Sequence, residues 1–113
     1  MKAVLAKDGT TLIGDVEPVF SLFRRMKGLL GRESLGPGRA MLLSPCNSVH
    51  TFFMKFSLDL VFLDRSLAVR KIVRNVPPNR VVFGGRGARS VLEMEAGWLA
   101  GQAVARGDRI QLK

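Results

Sequence analysis

The chain's one histidine lies in a stretch that also carries a hydroxyl, a thiol and two carboxyl groups: Cys46, Ser48, His50, Asp59 and Asp64. Serine, histidine and aspartate could form an acyl-transfer triad, but no Gly-x-Ser-x-Gly turn surrounds Ser48. Cys46 and His50, four residues apart, could instead be a nucleophile pair or two metal ligands. A structural zinc site takes four ligands, and the chain has no second cysteine or histidine. The sequence therefore predicts no catalytic residue, no metal site and no cofactor.

Two other acids occupy positions where a strand would bury them. Asp59 lies inside an apolar run, and Glu93 alternates with apolar residues. A buried carboxylate must be hydrogen-bonded or paired, so both acids could simply hold the fold together. The alternative is that they line one pocket. That candidate ligand site consists of Phe52, Phe53, Met54, Lys55, Asp59 and Glu93.

The charge of the chain is strongly positive. Eighteen Lys and Arg against nine Asp and Glu give a formal charge of +9 and a pI near 11.1. Seven basic residues and no acid lie between Arg65 and Leu92. Such a face is either solvated or attracts an anionic partner, a nucleic acid or an acidic surface. The candidate anion-binding residues are Arg70, Arg74, Arg86 and Arg89, the last two in the glycine-rich loop GGRGARS at 84–90.

Binding of single-stranded nucleic acid would need exposed aromatic rings among the basic residues. Along the sequence the two are separated. Four of the seven phenylalanines fall within residues 52–62, whereas the basic run 65–89 contains only Phe83. This separation argues against single-strand binding.

The elements that would position these residues are mostly short strands. A chain of 113 residues fits one domain. Asp8-Gly9 predicts a hairpin turn, residues 58–63 alternate as a strand that pairs across a turn at 64–66, and 69–76 reads as a bulged strand. Two helices are predicted, one within 17–31 with Pro18 in its first turn, and a short one from Gly97 to about Val104. The fold class is mainly β, sandwich-like or barrel-like, with these two helices.

Four segments in order resemble one known family. They are RRMKGLLGRESL, HTFFMKFSLDLVFLD, VLEMEAGW and ARGDRIQL, which together cover about residues 18–112. They resemble the domain-of-unknown-function family DUF-192, which implies a compact, mainly β, sandwich-like domain without a settled activity. The chain departs from the family pattern in two places: Phe53 stands where the family usually has Trp, and Phe56-Ser57 replaces a polar-Pro step.

The leading hypothesis is a non-enzymatic module that binds a small ligand or a protein partner. The alternatives are binding of nucleic acid or an anionic membrane surface through the basic 65–89 face, and an enzyme of unrecognised type. The N-terminal residues lack the apolar segment of a signal peptide, and no stretch reaches the ~18 apolar residues of a membrane span. The expected location is therefore cytoplasmic.

Overall fold

The computed structural model describes residues 1–19 and 34–113, which form ten strands and no helix. The strands are β1 (Ala3–Leu5), β2 (Thr11–Ile13), β3 (Asp15–Val19), β4 (Arg39–Leu43), β5 (Ser48–His50), β6 (Leu58–Leu63), β7 (Val69–Val76), β8 (Val81–Phe83), β9 (Ser90–Glu95) and β10 (Ile110–Leu112). They make three sheets, so the predicted mainly β class is confirmed.

The centre of the molecule is a five-stranded sheet in the order β3-β4-β9-β6-β7. Its β3–β4 pair is parallel and its other pairs are antiparallel. Successive side chains of a strand point to opposite faces. In β6, accordingly, Leu58, Leu60 and Phe62 join one hydrophobic cluster while Val61 and Leu63 join the other. Both faces of the sheet are therefore buried.

Each face has its own cover. The sheet β10-β1-β2 supplies Leu5, Ile13 and Ile110 to one cluster, and we call this side of the central sheet the sheet-covered face. The two-stranded ribbon β5–β8 contributes Val49 and the partly buried Val82 to the other cluster, and we call this side the ribbon-covered face. The central sheet is thus covered by a different layer on each face, a three-stranded sheet on one and a two-stranded ribbon on the other.

Several local predictions are confirmed. The turn at Asp8-Gly9 joins β1 to β2, and Gly9 has a φ of 77°. The turn at 64–66 joins β6 to β7, whose pairing contains two register shifts. In that turn Asp64 accepts hydrogen bonds from the Ala68 amide and from the amide and hydroxyl of Ser66. These donors, the Ala68 amide foremost, lower the pKa of Asp64.

The predicted C-terminal helix is wrong. Residues 96–101 form successive turns in which each bond spans three residues, as from the Ala100 amide to the Gly97 carbonyl (3.1 Å). Gly97 and Gly101 have φ values of 95° and 79°, in the left-handed region that interrupts a right-handed helix. Glycines at both ends of the segment thus favoured turns over a helix.

The predicted N-terminal helix falls mainly on residues 20–33, which lie outside the described residues. Its first turn is corrected, because Pro18 lies in β3, opposite Leu42 of β4. Proline has no amide hydrogen to give to a sheet, and β3 is an edge strand that tolerates this loss. In the part of the chain that the structure describes, no helix has the length and apolar character needed to cross a membrane.

Candidate functional site

Asp59 is a structural anchor on the sheet-covered face. Its side chain is 1% exposed and accepts three backbone hydrogen bonds. Oδ1 accepts from the Asn75 amide at 2.9 Å, and Oδ2 accepts from the amides of Gly97 and Leu99, both at 3.1 Å. One carboxylate thus joins β6, the end of β7 and the 96–101 turns. This is the first of the two interpretations that the sequence left open for Asp59.

Glu93 lies on the opposite side of the central sheet. The register pairs Asp59 with Met94 and Leu60 with Glu93, and directly paired residues share a face. Asp59 therefore shares the face of Met94, whereas Glu93 shares that of Leu60 beneath the ribbon. Glu93 is fully buried there. The two acids of the candidate pocket thus do not converge on one concave site.

The aromatic part of the candidate pocket lies in a turn. Strand β5 ends at His50, and residues 51–54 turn back with the Met54 amide donating to the Thr51 carbonyl (3.2 Å). Met54 is buried, while Phe52, Phe53 and Lys55 are exposed. Of the six candidate ligand residues, three therefore lie together at the surface, at the end of the ribbon.

The ribbon presents an apolar outer face. Its register pairs His50 with Val81, Val49 with Val82, and Ser48 with Phe83. Because Val49 and Val82 pack against the core, the alternate residues point outward. His50 and Phe52 add a stacked ring pair, with centroids 5.6 Å apart and planes at 26°. We call this the aromatic ribbon surface and define it as His50, Phe52, Phe53, Val81 and Phe83.

The exposure of this surface is high for such residues. Phe53 is 80% exposed, Phe83 66%, Val81 49% and Phe52 40%. Among the described residues the only other large hydrophobic side chain with comparable exposure is that of Met1. Single exposed apolar residues are common, but these four lie together on the ribbon and its turn, which makes them a candidate interaction surface.

Basic residues border both ends of the aromatic ribbon surface. The exposed Arg80 directly precedes Val81. At the other end, Lys71 Nζ donates to the Phe83 carbonyl at 2.8 Å, and Arg70 donates to the Arg86 carbonyl at 3.1 Å. Segments 44–58 and 65–92 contain no Asp or Glu. We call Lys55, Lys71, Arg80 and Arg86 the basic rim.

The candidate anion-binding residues are divided. Arg70 and Arg86 meet where the Arg70 side chain donates to the Arg86 carbonyl, in the loop after β8. Arg89 lies beside the loop that precedes β5, where its carbonyl accepts from the Cys46 amide at 2.8 Å. Arg74 is exposed on β7, an edge strand of the central sheet. Thus Arg70 and Arg86 belong with the ribbon, and their role in binding anions stays a prediction.

The surface cavities lie elsewhere. A cavity of about 380 Å³ has Asp15, Glu17 and Arg39 in its wall, at strands β3 and β4. Arg89 lines two others, of about 190 and 220 Å³. None of the residues of the candidate ligand site lines any of these three cavities. Among the described residues, the candidate site is therefore a surface on the ribbon and its turn, apart from these three cavities.

The groups considered for catalysis make other contacts in the structure. Cys46 Sγ donates to the Ser48 carbonyl at 3.0 Å, and the His50 ring stacks on Phe52. Asp59 uses both carboxylate oxygens on backbone amides. Within residues 1–19 and 34–113, no three side chains of His, Cys, Asp or Glu lie close enough together to hold a metal ion.

The sequence matches one known protein family. The profile of DUF192, described as an uncharacterized ACR family, matches residues 3–112. The chain belongs to the DUF192 family. The family itself is uncharacterised. No protein with a curated description matches the sequence.

Two solved structures have a similar fold. One is a protein of Sinorhizobium meliloti 1021 described as a proposed transcription regulator, 24% identical, with a TM-score of 0.77 over 97% of this chain and 89% of its own. The other is a protein of unknown function from Novosphingobium aromaticivorans DSM 12444, 18% identical, with a TM-score of 0.80 over 99% of this chain and 84% of its own. At these identities the likeness shows the fold alone.

Two residues of the aromatic ribbon surface and one of the basic rim were not among the candidate site residues predicted from the sequence. Phe83, Val81 and Arg80 lie about thirty positions after Phe52, and nothing in the sequence pairs the two segments. The link is Thr51, whose buried hydroxyl accepts from the Arg80 amide (2.9 Å) and donates to the Pro77 carbonyl (2.7 Å). The burial of Thr51, which the sequence does not show, is thus what places Arg80 next to Phe52.

Phe53 combines an exposed ring with a left-handed backbone, φ 65°. For a residue with a Cβ this conformation costs about 1–2 kcal/mol. We expect Phe53→Gly to be about 1 kcal/mol more stable than Phe53→Ala, because both remove the ring and only alanine keeps the Cβ. Urea unfolding of the two variants measures this difference. Equal stabilities would contradict the left-handed assignment at Phe53.

Proposed function

We propose that this protein is a non-enzymatic binding domain that holds polyanionic ligands on the aromatic ribbon surface and its basic rim. The observation that carries the proposal is the grouping of exposed rings on the ribbon and its turn with cations at both ends, within segments that contain no Asp or Glu. Burial normally hides such apolar side chains, and the ribbon buries only one of its two faces. The exposed face therefore has a use other than packing within the described chain.

This proposal keeps part of each hypothesis raised by the sequence. From the candidate ligand site it keeps Phe52, Phe53 and Lys55, and it assigns Asp59 to the stability of the fold. From the candidate anion-binding residues it keeps Arg86. The arrangement of rings and cations supports a surface that takes an extended ligand, since the cations lie at both ends of the ribbon.

The test is elution from heparin–agarose, a generic polyanion, in a rising salt gradient. The double variant Arg80→Gln/Arg86→Gln removes two exposed charges of the rim. Its matched control, Lys2→Gln/Lys113→Gln, removes two exposed charges beside β1 and β10, which cover the other face. Both variants lower the net charge equally, so net charge alone predicts equal elution.

We expect the rim variant to elute at clearly lower salt than the control variant, because only the rim contacts the polyanion and releases its counterions. Co-elution of the two variants would show that the overall charge governs retention, and it would refute the assigned surface. Circular dichroism of both variants confirms that the fold is kept, since all four side chains are exposed.

A further inference from the structure

The exposed rings of the aromatic ribbon surface narrow the class of polyanion that it would bind. A ligand that offers only charge, such as a sulfated sugar, would need cations and no rings. The exposed rings of Phe52, Phe53 and Phe83 suit a ligand with apolar flat surfaces of its own. Nucleobases are flat, and in a single strand their faces are open while the phosphates remain available to Lys and Arg.

The geometry of the ribbon suits stacking. His50 and Phe52 already form a stacked ring pair, with planes at 26°, and Phe52 is 40% exposed, so ring stacking is a contact that this surface makes. Strands β5 and β8 are three residues long, about 10 Å at the usual rise. A β-surface of this kind in other nucleic-acid-binding folds stacks two or three bases, so the ribbon offers room for a short stretch of strand.

Two other anionic partners fit less well. Duplex DNA hides the faces of its bases and offers mainly phosphates, which leaves the three phenylalanines without a role. An anionic membrane surface takes up apolar side chains but does not require them to be rings, and three of the four exposed apolar side chains of this surface are phenylalanines. The separation of rings and cations along the sequence argued against a single strand. In the folded chain Lys71 Nζ donates to the backbone carbonyl of Phe83, and the Arg80 amide donates to Thr51, the neighbour of Phe52. Cations and rings that are distant in sequence are therefore neighbours in the fold.

We propose that the ligand of this surface is single-stranded nucleic acid, with bases stacked on Phe52, Phe53 and Phe83 and phosphates bound by Lys71, Arg80 and Arg86. This inference rests on the proposed function and narrows it from polyanions in general to one class. It assigns the phenylalanines to affinity for open bases and the rim to affinity for any polyanion. The two contributions are separable by mutation.

The experiment is fluorescence anisotropy at low salt with a labelled oligothymidylate of about 12 nucleotides, within the usual site sizes of single-strand binders. A duplex of the same length, heparin, and vesicles of phosphatidylcholine with phosphatidylserine serve as competitors. The variants are Phe53→Ala and Phe83→Ala, with Phe83→Leu as the control that keeps apolar bulk and loses the ring. Because both rings are mostly exposed, these variants keep the fold.

We expect the oligothymidylate to bind more tightly than the duplex. Each Phe→Ala variant loses about 5- to 100-fold in affinity for it, which corresponds to the cost of one lost stacking contact. Phe83→Leu loses affinity as Phe83→Ala does, and none of the three variants changes elution from heparin. Arg80→Gln/Arg86→Gln weakens binding of the oligothymidylate, the duplex and heparin together.

Other outcomes separate this inference from the proposed function. If the Phe→Ala variants bind oligothymidylate as the parent does while the rim variant is weakened, base stacking is refuted and polyanion binding stands. If vesicles bind in a phenylalanine-dependent way and the oligothymidylate does not compete, the partner is a membrane surface and the inference is refuted. If neither heparin nor any oligonucleotide is retained at low salt, both proposals fail.

Discussion

Replacement of Asp59 by alanine is expected to lower the free energy of unfolding by about 3 kcal/mol or more. The variant leaves three backbone amides, those of Asn75, Gly97 and Leu99, without their acceptor. The bond from the Leu99 amide is buried and the other two are part-buried. A fully buried polar group left without a partner costs about 1–3 kcal/mol, and a part-buried one costs less. The total free energy of unfolding of a small domain is about 5–15 kcal/mol, so this loss is a large share of the stability. Urea unfolding followed by circular dichroism measures the change.

The matched control for this variant is Asp64→Ala. Asp64 also accepts three hydrogen bonds, but from a turn at the surface where water can replace the carboxylate. We expect Asp64→Ala to lower the free energy of unfolding much less than Asp59→Ala does. Equal losses in the two variants would show that burial of the acceptor does not decide the cost, and would remove the structural assignment of Asp59.

The second large effect is expected at Gly84, directly after β8. A Cβ at this position would lie 2.4 Å from Cδ1 of the buried Phe62 and 2.7 Å from Cβ of Ala88. Gly84→Ala therefore forces either the ribbon or the core to move, at a cost of about 1–3 kcal/mol. The Gly84 amide also donates to the Asn47 carbonyl before β5, so displacement reaches both strands of the ribbon.

Gly85→Ala is the control for this prediction. Gly85 has open space around its Cβ position and a φ of 84°, so its variant is strained without a clash. If the ribbon presents the binding surface, Gly84→Ala should weaken oligothymidylate binding although Gly84 belongs to neither the aromatic surface nor the rim. Unchanged stability and unchanged binding in Gly84→Ala would contradict the close packing of the ribbon on Phe62. Thermal unfolding and anisotropy give the two readings.

The parts of the fold predictable from sequence are those fixed by local pattern. The alternation of Leu58, Leu60 and Phe62 against Asp59 and Val61 gave the two faces of β6, because a strand in the middle of a sandwich repeats every two residues. The turn at Asp8-Gly9 followed in the same way from local backbone preferences.

The parts that escaped prediction depend on distant contacts. A helix is predicted from Gly97, but that segment forms turns. The glycines are left-handed, and the amides of Gly97 and Leu99 donate to Asp59, some forty residues away. Strand β5 has only three residues, too few to show which of its side chains face outward. The exposure of Phe52 and Phe83 follows from the pairing of β5 with β8, which no local pattern encodes.

Only the part of the candidate ligand site that is contiguous in sequence lies together in the structure, because the rest depends on strand pairing. Phe52, Phe53 and Lys55 were selected as neighbours in sequence, and they remain neighbours at the end of the ribbon. Glu93 was added because it alternates with apolar residues, but alternation does not tell which face of a sheet a residue shares with Asp59. The register of β6 and β9 supplies that answer.

The most direct test of the ribbon as the binding surface is a nuclear magnetic resonance titration of the ¹⁵N-labelled protein with oligothymidylate. We predict that the amide shifts are confined to residues 48–55, 69–71 and 80–87, which form the ribbon, its turn and the adjoining rim. Shifts concentrated instead in β1 and β10, or along the cavity at β3 and β4, would place binding elsewhere and contradict the account.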